Sequence, residues 1–146
     1  AVSTLEAMAY NVTAYDCVVC AAMDARCNQV YVALFRVNGG KVERLTEEEC
    51  LKTDEAARML SEYDDDIMLV GDGAFIMKKA TDNEGLENVK IAPDPLRYQT
   101  GYGVCLAAVN APQLTPEQLM PMYLKLPQAQ RELMAKNAEA YKERKE

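Results

Sequence analysis

The sequence predicts an α/β domain: a mixed, α+β-like sheet built on an antiparallel meander and flanked by helices. Three observations carry that prediction. Apolar residues follow a strand's period, or run on continuously, over residues 17–23 and 30–37, and alternate imperfectly in phase over 41–45, with short turns between. Beyond residue 46 helical spacing enters, and strands and helices then take turns along the chain. At 146 residues, 49% hydrophobic and 27% charged, the chain suits one compact domain.

Ser3 or Thr4 is placed to cap a first helix, in which Leu5, Met8, Ala9 and Val12 recur at helical spacing. The chain opens on this helix with no initiator methionine, basic segment or signal-peptide core. That reads as a fragment whose preceding domain is absent. Residues 16–23, DCVVCAAM, form a continuous buried strand, and DARCNQ, 24–29, is its turn. Residues 30–37, VYVALFRV, then put Val30, Val32 and Leu34 on one face and Tyr31, Ala33 and Phe35 on the other. Both faces are apolar, so this strand is covered on two sides. Asn38-Gly39-Gly40 is a hairpin turn, since Asn and Gly tolerate positive φ. KVERL, 41–45, is an edge strand guarded by charge.

In the middle, Thr46 and Glu49 stand at capping-box spacing. Asp54 offers a second cap to a helix carrying Ala56, Leu60 and Tyr63. Asp64-Asp65-Asp66 ends it. Residues 67–70 read as a buried strand, followed by a glycine turn and a helix. Residues 88–95, NVKIAPDP, hold a further short strand closed by two prolines. Residues 98–110 suit a helix burying its Ala and Leu face, weakened at the start by Gly101 and Gly103. Thr115 caps another turn with Pro116 at its first position. Tyr123-Leu124-Lys125 reads as a last strand. From Pro127 a helix with a thin apolar stripe, Leu133, Met134 and Tyr141, runs to the end. Residues 1–126 are therefore the domain, and 127–146 a terminal helix that frays.

Composition narrows the chemistry. A formal net charge of -7 argues against the domain gripping a polyanion, which takes Lys and Arg contacts to phosphate. No apolar run approaches the roughly 20 residues a membrane-spanning helix needs, and no membrane is expected as a partner. The five cysteines, at 17, 20, 27, 50 and 105, are expected as free thiols. Cys17 and Cys20 form a CxxC, but three residues apart on a strand they face opposite sides and cannot share a metal or a disulfide. There is no histidine, so Ser-His-Asp, Cys-His and histidine-ligated zinc sites are excluded within this chain. The run Asp64–Asp66 has no surrounding glycine-bearing ligand loop and reads as a solvated turn.

Two short stretches remain as candidates. Gly71, Asp72 and Gly73 lie in VGDGA, at a strand-to-helix turn whose backbone amides could cradle a phosphate. Asp72 would oppose one, and a tight turn explains the same residues. Asp24 and Arg26 read either as an acid–base pair or as a brace for the hairpin. The brace is the simpler reading, because one exposed pair contributes only about 0–1 kcal/mol.

Taken together, VSTLEAMA (2–9), AAMDARCNQVYVALF (21–35), MLVGDGA (68–74) and MYLKLPQAQ (122–130) resemble, in that order, the C-terminal half of the TsaB (YeaZ) family. The resemblance spans nearly the whole chain up to about residue 136. It implies an RNase-H-like half of an actin-like, Hsp70-type ATPase fold. It also implies a non-catalytic, cytoplasmic accessory subunit that supports a TsaD-like catalytic paralogue together with a TsaE-like ATPase. That complex transfers threonylcarbamoyl to the adenosine next to the anticodon, so tRNA is met only through the complex. No cofactor is expected, with ATP at Gly71–Gly73 as the exception to test. The paralogue's metal-binding histidines have no counterpart here. Asp24 and Arg26 would face the cleft or an interface, and a homodimer stays open. The rival readings are a nucleotide-binding ATPase or phosphotransferase half-domain and, more remotely, a glycoprotease-like peptidase.

Overall fold

The computed structural model describes residues 1–109, 111–120 and 123–125. Helix α1, Thr4–Ala9, starts where the Ser3 hydroxyl accepts the Glu6 N–H at 3.2 Å, and a 3₁₀ turn, Tyr10–Val12, continues it. Strands β1, Cys17–Arg26, and β2, Gln29–Asn38, form a long antiparallel hairpin, and β3, Lys41–Arg44, turns back along β2. Strand β4, Glu49–Lys52, leads into helix α2, Thr53–Leu60. Then come β5, Ile67–Val70, helix α3, Ala74–Asn83, and β6, Val89–Ile91. Helices α4, Asp94–Arg97, and α5, Gly101–Val109, and a 3₁₀ turn, Pro116–Gln118, complete the described order.

The six strands form one mixed sheet in the order β3-β2-β1-β5-β6, with β4 also pairing β2. β5 runs parallel to β1 and β6 parallel to β5. The period-two pattern of the hairpin sorts its side chains into two cores. Val18, Cys20, Val30, Val32 and Leu34 face α2 and α3, where Leu60 and Met77 are fully buried. Val19, Ala21, Ala33, Phe35 and Val37 face Leu5, Met8, Ala9 and Val12 of the first helical segment. Each fully buried side chain of this size contributes about 1.5–3 kcal/mol, so the hairpin is the spine of both layers. Cys17 and Cys20 fall in opposite cores, as strand geometry requires.

Helix α5 packs on α1, and Gly103 explains the contact. A Cβ there would lie 2.2 Å from the Ala7 carbonyl oxygen, so only glycine lets the two backbones approach this closely.

Several expectations are corrected. No helix begins at Thr46: the Leu34 N–H donates to the Thr46 hydroxyl at 2.9 Å, and residues 49–52 join the sheet beside residues 29–32. Unpaired ladder positions on β2 attract a four-residue strand where the capping pattern suggested a helix start. β1 runs on through Asp24, Ala25 and Arg26 across a bulge, so the hairpin loop is only Cys27-Asn28. The segment after β6 forms α4, with Pro95 near its start where no N–H is needed. Tyr123–Lys125 is not a strand. The terminal helix predicted from Pro127 lies outside the described residues.

Candidate functional site

The sheet order places the loop end of the β1–β2 hairpin beside the β5–α3 turn, because β1 and β5 are parallel neighbours. The two stretches singled out in the sequence, Asp24/Arg26 and Gly71–Gly73, therefore meet. The Asp24 N–H donates to Asp72 Oδ1 at 3.1 Å. The Arg26 N–H donates to Asp24 Oδ1 at 2.7 Å, and Arg26 Nη1 reaches Asp24 Oδ2 at 3.2 Å. The Arg26 side chain is 86% exposed against 29% for Asp24, so their ion pair is screened and weak. Asp24 is thus an acceptor that shapes the bulge and fixes the path of Arg26. Bulges commonly re-aim side chains in this way.

The glycines of the turn are explained by the strand they cross. Gly71 has φ +94, and a Cβ there would sit 2.0 Å from the Ala22 carbonyl oxygen. A Cβ on Gly73 would meet the same carbonyl at 3.0 Å. Their amides are already used inside the fold: the Gly71 N–H donates to the Arg97 carbonyl at 2.7 Å, and the Gly73 N–H to the Ala22 carbonyl at 3.0 Å. A phosphate cradle needs such N–H groups turned outward and unengaged. Here two of them hold β1, β5 and α4 together, and the exposed Asp72 carboxylate stands beside them.

Sequence reasoning passed over Arg97. It is 6% exposed, pairs with Asp94, and lies 4.6 Å from the Phe75 ring centroid and 5.1 Å from that of Tyr98. Its main chain receives the Gly71 N–H, so this arginine helps anchor the turn. The i,i+3 spacing of Asp94 and Arg97 after a proline was the available signal.

Two further ties reach the hairpin end: Lys125 Nζ donates to the Ala25 carbonyl at 2.7 Å, and the Thr53 N–H donates to the Asn28 carbonyl at 3.0 Å. An open cavity of about 820 Å³ adjoins it, lined among others by Leu5, Met23, Tyr31, Arg44, Glu48 and Lys125. Arg44 spans that wall, bonded to Glu6 at 2.8 Å and Glu48 at 3.4 Å, with its guanidinium over Phe35. Among the described residues no group of three or more His, Cys, Asp or Glu side chains is arranged to hold a metal ion. No helix among them is long and apolar enough to cross a membrane. The two thiols of the CxxC are suppressed as nucleophiles. Burial, with Asp66, Asp16 and Asp65 adding to it, pushes Cys17 up to about 11, and burial alone pushes Cys20 up to about 12.

Comparison with known proteins bears on the fold. No family model matches the chain, and no curated protein matches it. Among solved structures, the crystal structure of an uncharacterized protein with similarity to peptidase YEAZ from Pseudomonas aeruginosa aligns with a TM-score of 0.63 at 18% identity. The match covers 85% of this chain and 57% of that one, so the chain spans a little over half of its neighbour's length. At this identity the likeness establishes the fold: a mixed α/β sheet with flanking helices, as in a YeaZ-like protein.

Proposed function

We propose that this chain is the C-terminal domain of a TsaB-type accessory subunit, with residues 1–126 forming the domain and 127–146 following it. In this reading the subunit supports a TsaD-like catalytic paralogue and a TsaE-like ATPase in threonylcarbamoylation of tRNA, in the cytoplasm, and performs no catalytic step. The observation that carries the reading is the internal use of the Gly71 and Gly73 amides, on a fold shared with a YeaZ-like structure. A nucleotide-driven enzyme keeps such amides for its ligand. An accessory lobe is free to spend them on rigidity.

The test is reconstitution. Purified TsaD-like and TsaE-like partners are assayed for modification of tRNA with and without the polypeptide that carries this chain. Modification that depends on it, with no ATP binding by that polypeptide alone in calorimetric titration, is the expected result. ATP binding without partners would favour the phosphotransferase reading. Unchanged modification in its absence would end the accessory one.

A further inference from the structure

We propose that Asn38 is a self-modification site, converting to aspartate and isoaspartate through a succinimide, and that Asp16 governs the rate. Asn38 is exposed at the last paired position of β2, opposite Lys41. The next residue is Gly39, at φ +55, the first of two glycines in the hairpin turn. With no Cβ on Gly39, its main-chain nitrogen can swing onto the neighbouring side chain.

The chemistry needs only water. The Gly39 nitrogen gives up its proton to solvent and attacks Asn38 Cγ. The Cγ–Nδ2 bond breaks and the side-chain nitrogen leaves as ammonia, closing a five-membered ring. Water then opens the ring. Cleavage at Cγ restores the ordinary backbone with an aspartate, whereas cleavage at the main-chain carbonyl routes the backbone through Cγ as isoaspartate. Overall, one water is consumed and one ammonia released, with no change of oxidation state. Water has access, because the turn borders an open depression of about 490 Å³ shared with Arg36, Lys41 and Glu43.

The attacking nitrogen is held. The Gly39 N–H donates to Asp16 Oδ1 at 2.8 Å, a contact made across the hairpin from the residue just before β1. Ring closure requires that amide to rotate and lose its proton, and the hydrogen bond opposes both. The chain contains one other dipeptide of this reactivity, Asp72-Gly73, and there too the glycine N–H is tied, to the Ala22 carbonyl at 3.0 Å. That second tie is a main-chain contact inside the sheet. At Asn38 the restraint is one exposed carboxylate, removable by a single substitution. Conversion would add a negative charge beside Asp16 and, as isoaspartate, an extra backbone atom at the end of the β2–β3 ladder. It would therefore loosen the strand that carries Arg44.

Three forms of the whole protein are incubated at neutral pH and mapped by peptide mass spectrometry, with isoaspartate separated chromatographically: wild type, Asp16→Ala and Asp16→Asn. Circular dichroism checks each fold, and wild type unfolded in urea sets the unrestrained rate. The folded Asp16→Ala variant is expected to convert Asn38 about tenfold faster than wild type, the loss of one charge-assisted hydrogen bond. Asp16→Asn keeps an acceptor oxygen without the charge and is expected to fall between wild type and Asp16→Ala. Should the alanine variant lose its fold, Asp16→Glu displaces the acceptor and is read in the same way. Equal rates in folded wild type and variant would overturn the proposal, as would a slower variant, which would make the carboxylate a base. No conversion even in urea would overturn it outright.

Discussion

The main-chain N–H of Asp24 donates to Oδ1 of Asp72 at 3.1 Å, joining the loop end of the first hairpin to the turn between β5 and α3. This bond links segments 48 residues apart in sequence and makes one surface out of two stretches with separate sequence signals. Asp72→Ala removes the acceptor. An exposed hydrogen bond of this kind contributes about 1 kcal/mol, so the urea midpoint should fall slightly. If the surface meets a partner, as the resemblance implies for Asp24 and Arg26, tRNA modification in the reconstituted system should fall much further than stability. Arg26→Ala, which removes only a screened ion pair, should leave the melting temperature nearly unchanged while reducing modification. Asp24→Ala also loses the acceptor of the Arg26 N–H at 2.7 Å and should cost about 1 kcal/mol, again with a larger loss of modification. Proportional losses of stability and modification would mark the cluster as architectural.

Gly71→Ala should unfold the protein or cost about 3 kcal/mol or more, since the new methyl meets the Ala22 carbonyl at 2.0 Å on a backbone with φ +94. Gly103→Ala meets the Ala7 carbonyl at 2.2 Å and should separate α1 from α5 at similar cost. Gly85→Ala is the control: it shares a positive φ, +77, but has nothing within 4 Å. It should lose only about 1 kcal/mol. Denaturant titrations of the three variants rank these effects directly.

The two-sided hairpin was legible because alternation over residues 30–37 is dictated by the pleat itself, with Val32 and Phe35 each bound to one face. The glycine turn after residue 70 was legible as a turn for the same local reason. What escaped was whatever long-range pairing decides. Glu49–Lys52 carries no strand signal of its own and becomes one through the free edge of β2. Arg97 is buried by Phe75, 22 positions earlier, which no local pattern announces. The contact between Asp24 and Asp72 depends on the parallel pairing of β1 with β5, and strand order is not written in either stretch alone. Gly103 read as a helix weakness from propensity, whereas packing makes it the point of closest approach.

Cys27→Gly should stabilise the protein. Arg26, Cys27 and Asn28 have φ of 63°, 55° and 56°, a left-handed run that costs L-residues about 1–2 kcal/mol each and glycine little. Position 27 is the first residue of a two-residue hairpin loop, where Asn or Gly is preferred. Allowing for the greater freedom glycine has when unfolded, a gain of about 0.5–1 kcal/mol is expected in the denaturant midpoint. Cys27→Val, stiff at Cβ and poorly suited to positive φ, should shift it the other way.

The thiols should sort by burial in a labelling experiment. Cys27 and Cys105 are exposed, Cys50 is half-buried, and Cys17 and Cys20 are buried. A disulfide reagent under native conditions should modify Cys27 and Cys105 rapidly, and Cys20 only as fast as the protein opens. The same burial sets a pH dependence. A thiol is neutral when protonated, and the folded protein raises Cys17 from 9.0 to about 11 and Cys20 from 9.0 to about 12. Above 9.0 the unfolded chain releases these protons while the folded chain keeps them, so ionisation favours unfolding. The contribution of the two thiols is complete below 9.0 and is lost as pH rises toward 11 for Cys17 and 12 for Cys20. Denaturant midpoints measured below and above 9.0 should therefore fall in the alkaline range. Cys20→Ala, tested alongside wild type, should be less stable near neutrality but show a shallower alkaline decline. An equally steep decline in that variant would place the alkaline sensitivity elsewhere in the chain.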